Sequence, residues 1–316
     1  MDAPDVLLTH LIGTDRAAAL APLLENAIAG EVRVARSPAE TDAEIGDARI
    51  VVTREFPDRL FERATALEWI HAISAGVDHL DLDRLAEAGV VVTNSSGIHA
   101  EPIAEQVLWY LLTFERRLDQ AIANAEHDRW RRVEGGELRG KTVGVVGVGA
   151  IGTRIAELCS ALGTTVLGTK RDLTSMPAVV DEAIPAEEYH ELLRRSDYVV
   201  LACPLTGETE GLIGDDELRL MGGETVLVNV GRGELCDETA LTRALQNDRI
   251  RGAGLDTFAT EPLPADSPLW NLPSAVLTPH MAGSTPHKPE RWCSLIETNY
   301  EPFRDGDREN MVNRVV

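Results

Sequence analysis

The chain has 316 residues, of which 44% are hydrophobic but only 4% aromatic, and its formal net charge is -22 at pH 7. This length predicts two domains, and a mostly aliphatic core is typical of parallel sheets covered by helices. The excess of carboxylates argues against nucleic acids and anionic membranes as partners. No apolar run reaches the length of a membrane span, and the amino terminus lacks a basic signal-peptide start, so we expect a cytoplasmic protein.

Short aliphatic runs alternate with helical segments along most of the chain. A helix is predicted over residues 15–29, and the longest helical stretch, residues 101–132, begins at Pro102 and is expected to lead into a second domain. The predicted strands lie in residues 5–10, 49–55, 67–73, 89–94, 141–147, 164–169, 198–203, 225–230, 251–256 and 275–280. Such runs, apolar on both faces, predict an α/β fold with ligands at the carboxyl ends of the strands.

A glycine-rich segment, Gly147-x-Gly149-x-x-Gly152, follows one predicted strand and begins a helix. In this context the first glycine permits a tight turn, the second lets a pyrophosphate approach the backbone, and the third lets helix and strand pack closely. We therefore predict a dinucleotide site, which would include Ala150 and Ile151 at the start of the helix. A glycine-rich turn without a ligand is the alternative interpretation.

The end of the next strand indicates which dinucleotide is bound. An acidic residue there accepts the ribose hydroxyls of NAD, but this strand runs into Thr169, Lys170 and Arg171 before it reaches Asp172. A guanidinium binds a 2′-phosphate with paired hydrogen bonds, so NADP(H) is the predicted preference, with NAD(H) possible as a second cofactor. The alternative is that Asp172 turns back toward the ribose.

Five segments in chain order carry a resemblance to a known family. These are GVVGVGAIG, ACPLTGETEGLI, VLVNVGRGELCDETALTRAL, GAGLDTFATEPLPADSPLW and VLTPHMAGST, preceded by ISAGVDHLD and VTNSSGIHAEPIAEQVL. Together they resemble the D-isomer-specific 2-hydroxyacid dehydrogenases over nearly the whole chain. The resemblance implies two doubly wound parallel-sheet domains, a Rossmann cofactor domain and a flavodoxin-like substrate domain. Residues 99–286 would form the cofactor domain, and residues 1–98 with 287–316 the substrate domain.

The resemblance also implies the catalytic residues. Arg232 matches the family arginine that holds the substrate, His280 matches the acid/base histidine, and Glu261 matches its carboxylate partner. The chemistry is consistent, because reduction of a 2-oxo acid needs a cation for the carboxylate and an acid for the nascent alkoxide. A carboxylate beside His280 favours the imidazolium form.

Further binding residues follow from the same resemblance. The loop from Ser74 to Asp78 would hold the substrate carboxylate through the backbone N–H groups of Ala75, Gly76 and Val77, together with Arg232. Asp256 would orient the nicotinamide carboxamide. The remaining predicted cofactor contacts are Cys203, Pro204, Thr209, Val230, Gly231 and Gly283.

The leading prediction is NADP(H)-dependent reduction of 2-oxo acids to D-2-hydroxy acids by a homodimer that associates through the cofactor domain. The alternatives are a glyoxylate and hydroxypyruvate reductase and a non-catalytic, nucleotide-sensing corepressor, as in one related branch. Phosphoglycerate oxidation is less expected, because the chain ends at Val316 without a regulatory domain. No metal site is predicted, since the histidines and the four isolated cysteines show no ligand spacing.

The charged residues predict that the stability of the protein depends on salt. Only Lys141, Lys170 and Lys288 are lysines among 30 basic residues, which together with the charge of -22 indicates adaptation to a salty cytosol. Because counterions screen the repulsion between carboxylates, the melting temperature should rise from low to molar KCl. A melting temperature that is unchanged or lower in molar KCl would leave ordinary acidic solubility as the interpretation.

Overall fold

The computed structural model describes residues 5–77 and 79–316, and the chain divides into two compact units. Unit 1 comprises the residues up to Ile98 together with Thr285–Val316, and unit 2 comprises His99–Ser284. The sequence predicts that the chain passes from one domain to the other after residue 98 and again after residue 286. Each unit is built on one parallel sheet, which confirms the predicted α/β class with two doubly wound domains.

The sheet of unit 1 has five parallel strands in the order β2-β1-β3-β4-β5. This is the flavodoxin-like order, as the sequence predicts. The strands are β1 Val6–Leu8, β2 Val32–Val34, β3 Ile50–Thr53, β4 Trp69–Ala72 and β5 Val91–Asn94. The helices are α1 Thr14–Ala27, α2 Pro38–Glu44, α3 Asp58–Phe61, α4 Leu82–Glu87 and, from the end of the chain, α11 Lys288–Arg304. Helices α1 and α11 bury Leu20, Leu24, Ile296 and Tyr300 against one face of the sheet.

The sheet of unit 2 has seven parallel strands in the order β12-β11-β10-β9-β6-β7-β8. The strands are β6 Thr142–Val146, β7 Thr165–Lys170, β8 Glu182–Pro185, β9 Tyr198–Leu201, β10 Val226–Asn229, β11 Gly252–Leu255 and β12 Ala275–Leu277. The chain reverses direction across the sheet between β6 and β9, which is the switch point where ligands of Rossmann folds bind. The helices are α5 Ala100–Glu115, α6 Leu118–Glu126, α7 Ala150–Ala161, α8 Tyr189–Arg195, α9 Asp215–Leu220 and α10 Glu238–Gln246.

The prediction of one long helix over residues 101–132 is wrong. Helix α5 ends at Glu115, Arg117 adopts a left-handed conformation with φ of 54°, and α6 ends at Glu126. The break has a tertiary cause, because the backbone N–H of Gly136 donates to the carbonyl of Glu115 at 2.7 Å and brings the chain back to the end of α5. Residues 116–137 therefore form an excursion, here called the arm, in which no residue is buried.

Two strands, β2 and β8, were not predicted. Both lie at edges of their sheets and contain charged residues or proline, with only Ile184 buried among their seven residues. A strand that pairs on one side and is not buried on both faces lacks the continuous apolar run that marked the central strands. Within the described residues, no helix has the length and apolarity needed to cross a membrane.

A fully buried histidine lies at the carboxyl end of the sheet in unit 1. His71 in β4 contacts the hydroxyls of Thr93 and Ser95 through its two ring nitrogens, at 3.0 and 3.1 Å. Burial lowers the pKa of His71 to about 3, so the ring is neutral in the folded protein. Its ordinary pKa of 6.5 applies when the chain unfolds.

The difference between the pKa of His71 in the folded and in the unfolded chain predicts that acid destabilises the fold of unit 1. Below pH 6.5 the unfolded chain binds a proton that the folded chain excludes, so the free energy of unfolding should fall by up to about 1.4 kcal/mol per pH unit from this group. Urea unfolding of the whole protein between pH 6.5 and 4.5 would measure the slope. His71→Gln should reduce it, whereas the same change at exposed His79 is the control; equal slopes in all three proteins would contradict the prediction.

Candidate active site

The three predicted glycines after β6 differ in what surrounds them. Gly147 has φ of +97°, and a β-carbon there would lie 2.6 Å from the backbone of Cys203. A β-carbon on Gly152 would lie 2.3 Å from the carbonyl oxygen of Gly147. By contrast, a β-carbon on Gly149 would have no atom of the described residues within 4 Å. The turn is thus closed on the protein side and open at Gly149, where α7 begins. These features suit an approaching pyrophosphate, which the N–H groups at Ala150 and Ile151 could bind.

The end of β7 is organised around a short turn. Thr169 is buried, and its hydroxyl accepts a hydrogen bond from Gly147 N at 3.2 Å, so it holds the glycine turn in place. Asp172 accepts hydrogen bonds from Thr174 through both the backbone N–H at 3.0 Å and the hydroxyl at 2.6 Å. These bonds hold the pKa of Asp172 below its ordinary value. Lys170 donates to the carbonyl of Ser175 at 2.9 Å.

The loops after β9 and β10 lie beside the glycine turn. Cys203 is half-buried against Gly147, and the hydroxyl of Thr209 donates to the carbonyl of Pro204 at 2.7 Å, which closes the loop after β9. Val230 is buried, and its backbone N–H donates to the carbonyl of Leu201 at the end of β9. A β-carbon on neighbouring Gly231 would lie 3.1 Å from the carbonyl of Cys203, so these loops pack backbone to backbone.

Arg232 is placed by residues that sequence reasoning did not single out. The side chain of Asn229, at the end of β10, accepts from Gly231 N at 3.1 Å and donates to the carbonyl of Arg232 at 2.8 Å. A β-carbon on Gly233 would lie 1.9 Å from the backbone of Phe258, so this glycine lets the arginine loop pack directly on the loop that carries Glu261. Arg232 is exposed, and its Nη1 donates to the carbonyl of Gly231 at 2.8 Å.

His280 and Glu261 form a hydrogen-bonded pair in unit 2. The His280 Nδ1 to Glu261 Oε2 distance is 2.7 Å, and Glu261 Oε1 accepts from the backbone N–H of Phe258 at 3.0 Å. Partial burial would raise the pKa of Glu261, but the hydrogen bonds from His280 and Phe258 and the charges of His280 and Arg232 outweigh it and lower that pKa. His280 and Arg232 therefore both act on Glu261, and His280 Nε2 is the ring nitrogen that Glu261 does not engage.

The buried carboxylate of Asp256 organises the loop that carries His280. It accepts hydrogen bonds from Met281 N and Ala282 N, each at 2.9 Å, and from the Thr278 hydroxyl at 2.5 Å. The backbone N–H of His280 donates to the Asp256 carbonyl at 2.8 Å. These contacts stabilise His280 in a left-handed conformation with φ of 48°, which is uncommon for a residue other than glycine.

Two further residues extend this network. Since the Thr278 hydroxyl donates to Asp256, it accepts from the Tyr110 hydroxyl of α5, at 2.5 Å. Burial raises the pKa of Tyr110 to about 12, so the phenol remains a donor. The nearby Gly283 carbonyl contacts His99 Nδ1 at 3.1 Å. Thr278 lies within the segment VLTPHMAGST and Tyr110 outside the family segments, but neither position reveals a role, because only the fold brings the two hydroxyls to Asp256.

The predicted substrate loop belongs to unit 1. The carbonyls of Ser74, Ala75 and Gly76 accept hydrogen bonds from Ser95 N, Asn94 Nδ2 and the Ser74 hydroxyl respectively. No described residue accepts a hydrogen bond from the backbone N–H of Ala75 or Gly76, and both residues are exposed. Such N–H groups suit an anion. Val77 is buried, and Asp78 lies outside the described residues.

Comparison with known proteins identifies relatives of this chain. The profile of the D-isomer specific 2-hydroxyacid dehydrogenase, NAD binding domain, matches residues 108–282. A protein of Methanocaldococcus jannaschii named D-3-phosphoglycerate dehydrogenase is 33% identical over 308 residues, which are 92% of this chain but 58% of that protein. This chain thus spans little more than half the length of that relative.

Two other relatives match at closer to full length. A protein of Aeropyrum pernix named glyoxylate reductase is 35% identical over 269 residues, which are 81% of this chain and 79% of that protein. The solved structure of a D-isomer specific 2-hydroxyacid dehydrogenase from Xanthobacter autotrophicus Py2, in complex with NADPH and MES, is 27% identical. Its TM-score is 0.80, and the match covers 99% of this chain and 98% of that one.

Proposed function

The chain belongs to the D-isomer specific 2-hydroxyacid dehydrogenase family, and we propose that it reduces 2-oxo acids to D-2-hydroxy acids. The observation that carries this proposal is the 2.7 Å contact between His280 and Glu261, in a loop packed beside that of Arg232. A bound nicotinamide cofactor would supply the hydride to the carbonyl carbon. The D configuration of the product is taken from the family.

The side chains divide the remaining work between them. His280 donates the proton from Nε2 to the carbonyl oxygen and becomes neutral, while Glu261 fixes the ring orientation through Nδ1 and stabilises the imidazolium before transfer. Arg232 binds the substrate carboxylate and polarises the carbonyl, for which a planar guanidinium is suited. In unit 1, the N–H groups of Ala75 and Gly76, for which no described residue is an acceptor, are proposed as further carboxylate donors, with that of Val77.

His280→Gln tests the proposed acid. Glutamine cannot release a proton to the alkoxide, so turnover with NADPH and a 2-oxo acid should fall at least about 100-fold. The dissociation constant of NADPH should stay within about threefold, because the change affects the chemical step. The matched control is His190→Gln, which removes a histidine that contacts Glu217 at 3.0 Å elsewhere in unit 2. Near-normal turnover in His280→Gln would defeat the assignment.

The turn after β7 supports a preference for NADP(H). Asp172 accepts two hydrogen bonds from Thr174, both at Oδ1, which hold its side chain within its own turn. Among the described residues no ion-pair partner is found for Arg171, which is exposed and able to bind a 2′-phosphate. The Xanthobacter relative was solved with NADPH. Asp256 and Gly283 are retained as proposed contacts near the nicotinamide.

Binding measurements with both cofactors test this preference. Arg171→Gln should weaken NADPH binding about 10- to 100-fold, because charge-assisted hydrogen bonds contribute about 1.5–3 kcal/mol each. NADH binding should change much less, since NADH lacks the 2′-phosphate. Arg219→Gln, on an exposed face of α9, is the control. Tighter binding of NADH than NADPH by the unaltered protein would overturn the proposal.

The arm supports a homodimer that associates through unit 2. Helix α6 buries no residue and exposes Leu118 and Ile122, while α5 exposes Trp109. A nine-residue helix that buries nothing is marginal in water, so the arm needs a covering surface. The arm, residues 116–137, contains five arginines and five acidic residues, so it lacks the strong negative charge of the chain as a whole, which is -22. A second copy of the same acidic chain is repelled less at the arm than elsewhere on the surface, which favours the arm as its contact.

Light scattering at molar KCl tests the dimer. The unaltered protein should have twice the mass of one chain, and Ile122→Glu should shift it to one chain, because the charge would be buried in the interface. Leu162→Glu, at an exposed apolar position at the end of α7, should leave the mass unchanged. A monomer without any substitution, or a dimer that persists in Ile122→Glu, would contradict the arm as the contact.

Glyoxylate and hydroxypyruvate reduction is retained as a second candidate activity, because the Aeropyrum relative carries the name glyoxylate reductase.

The charge of -22 and the scarcity of lysine support a salt-rich cytoplasm as the site of action.

A further inference from the structure

A pocket of about 620 Å³ opens beside the His280 and Glu261 pair, with all its lining residues in unit 2. Besides this pair and Thr278, its walls are apolar: Phe258, Pro262, Leu263, Trp270, Leu277 and Pro279. Its size falls in the ordinary range of small-molecule sites, and such walls are typical of them. Neither the hydride-transfer chemistry nor the cofactor contacts proposed above use this space.

The pocket has fixed walls. The indole N–H of Trp270 donates to the carbonyl of Pro264 at 2.9 Å, which orients a ring that is 54% exposed. Leu263 and Leu277 pack against the buried core of unit 2, and Phe258 is itself 7% exposed. A large, exposed and oriented tryptophan is notable in a chain with only 4% aromatic residues. Because these walls are already ordered, burying an apolar group in the pocket stabilises the complex with little entropic cost from ordering the side chains.

We propose that this pocket receives the side chain of the 2-oxo acid, so that the preferred substrates carry an aliphatic or aromatic side chain of four or more carbons. The inference rests on the proposed function. Because Glu261 engages Nδ1, the substrate carbonyl must meet His280 at Nε2, and the same ring lines the pocket. The apolar walls and the proposed proton donor therefore belong to one pocket, and this shared lining is what points to the substrate side chain as its occupant.

The chemistry of the lining also disfavours other side chains. A hydroxyl buried against the proline, leucine and tryptophan side chains finds no hydrogen-bond partner among them, since the Trp270 N–H is bonded to Pro264, and this counts against hydroxypyruvate. The Glu261 carboxylate, whose pKa is lowered, repels a second carboxylate or a phosphate in the side chain. Glyoxylate leaves the pocket empty.

A panel of substrates tests the inference with the intact protein, NADPH and molar KCl. The values of kcat/KM should rise by about fourfold for each buried methylene, from pyruvate through 2-oxobutanoate to 2-oxohexanoate. Phenylpyruvate and 4-methyl-2-oxopentanoate should exceed glyoxylate and hydroxypyruvate by about 50-fold or more. A flat series, or a maximum at glyoxylate or hydroxypyruvate, would overturn the inference.

Two variants of Trp270 assign the preference to this pocket. Trp270→Ala should lower kcat/KM for 2-oxohexanoate about tenfold, mainly through KM, and leave that for pyruvate within about twofold. Trp270→Phe keeps the apolar wall without the N–H and should retain most of the preference. Equal losses for long and short substrates in Trp270→Ala, with an unchanged melting temperature, would contradict the assignment. Failure to reduce any 2-oxo acid would instead refute the proposed function, and the inference with it.

Discussion

The candidate active site depends on one buried carboxylate. Asp256 leaves the end of β11 and accepts three hydrogen bonds from the segment Thr278–Ala282, while its own carbonyl accepts the N–H of His280. These bonds support the left-handed conformation of His280, in which its ring is directed at Glu261. Since a buried carboxylate is costly unless fully bonded, the loop and the aspartate require each other.

The glycines of unit 2 show how the other loops meet at the same edge of the sheet. Gly147 admits the backbone of Cys203, Gly152 admits the carbonyl of Gly147, and Gly233 admits the backbone of Phe258. Each removes a β-carbon where two chain segments come closer than a side chain allows. The loop after β6 thereby packs on the loop after β9, and the loop after β10, which carries Arg232, packs on the loop after β11, which carries Glu261.

The sequence predicted much of this arrangement and missed parts for identifiable reasons. Central strands such as β6 and β10 are continuous aliphatic runs, so periodicity identified them, and the spacing of Gly147, Gly149 and Gly152 indicated their separate roles. The end of α5 escaped prediction because it depends on Gly136, 21 residues after Glu115. The hydroxyls of Thr278 and Tyr110 were missed for the same reason, since no local pattern marks a partner that only the fold supplies.

The central claim is that His280 Nε2 and Arg232 converge on the carbonyl of a 2-oxo acid. The most direct measurement is a crystal structure of the protein with NADPH and oxamate, a stable analogue of pyruvate. The account predicts the oxamate carbonyl oxygen at about 2.6–3.2 Å from His280 Nε2, with its carboxylate bonded to Arg232. Oxamate bound away from His280, or an imidazole whose Nε2 faces the protein interior in that complex, would contradict it.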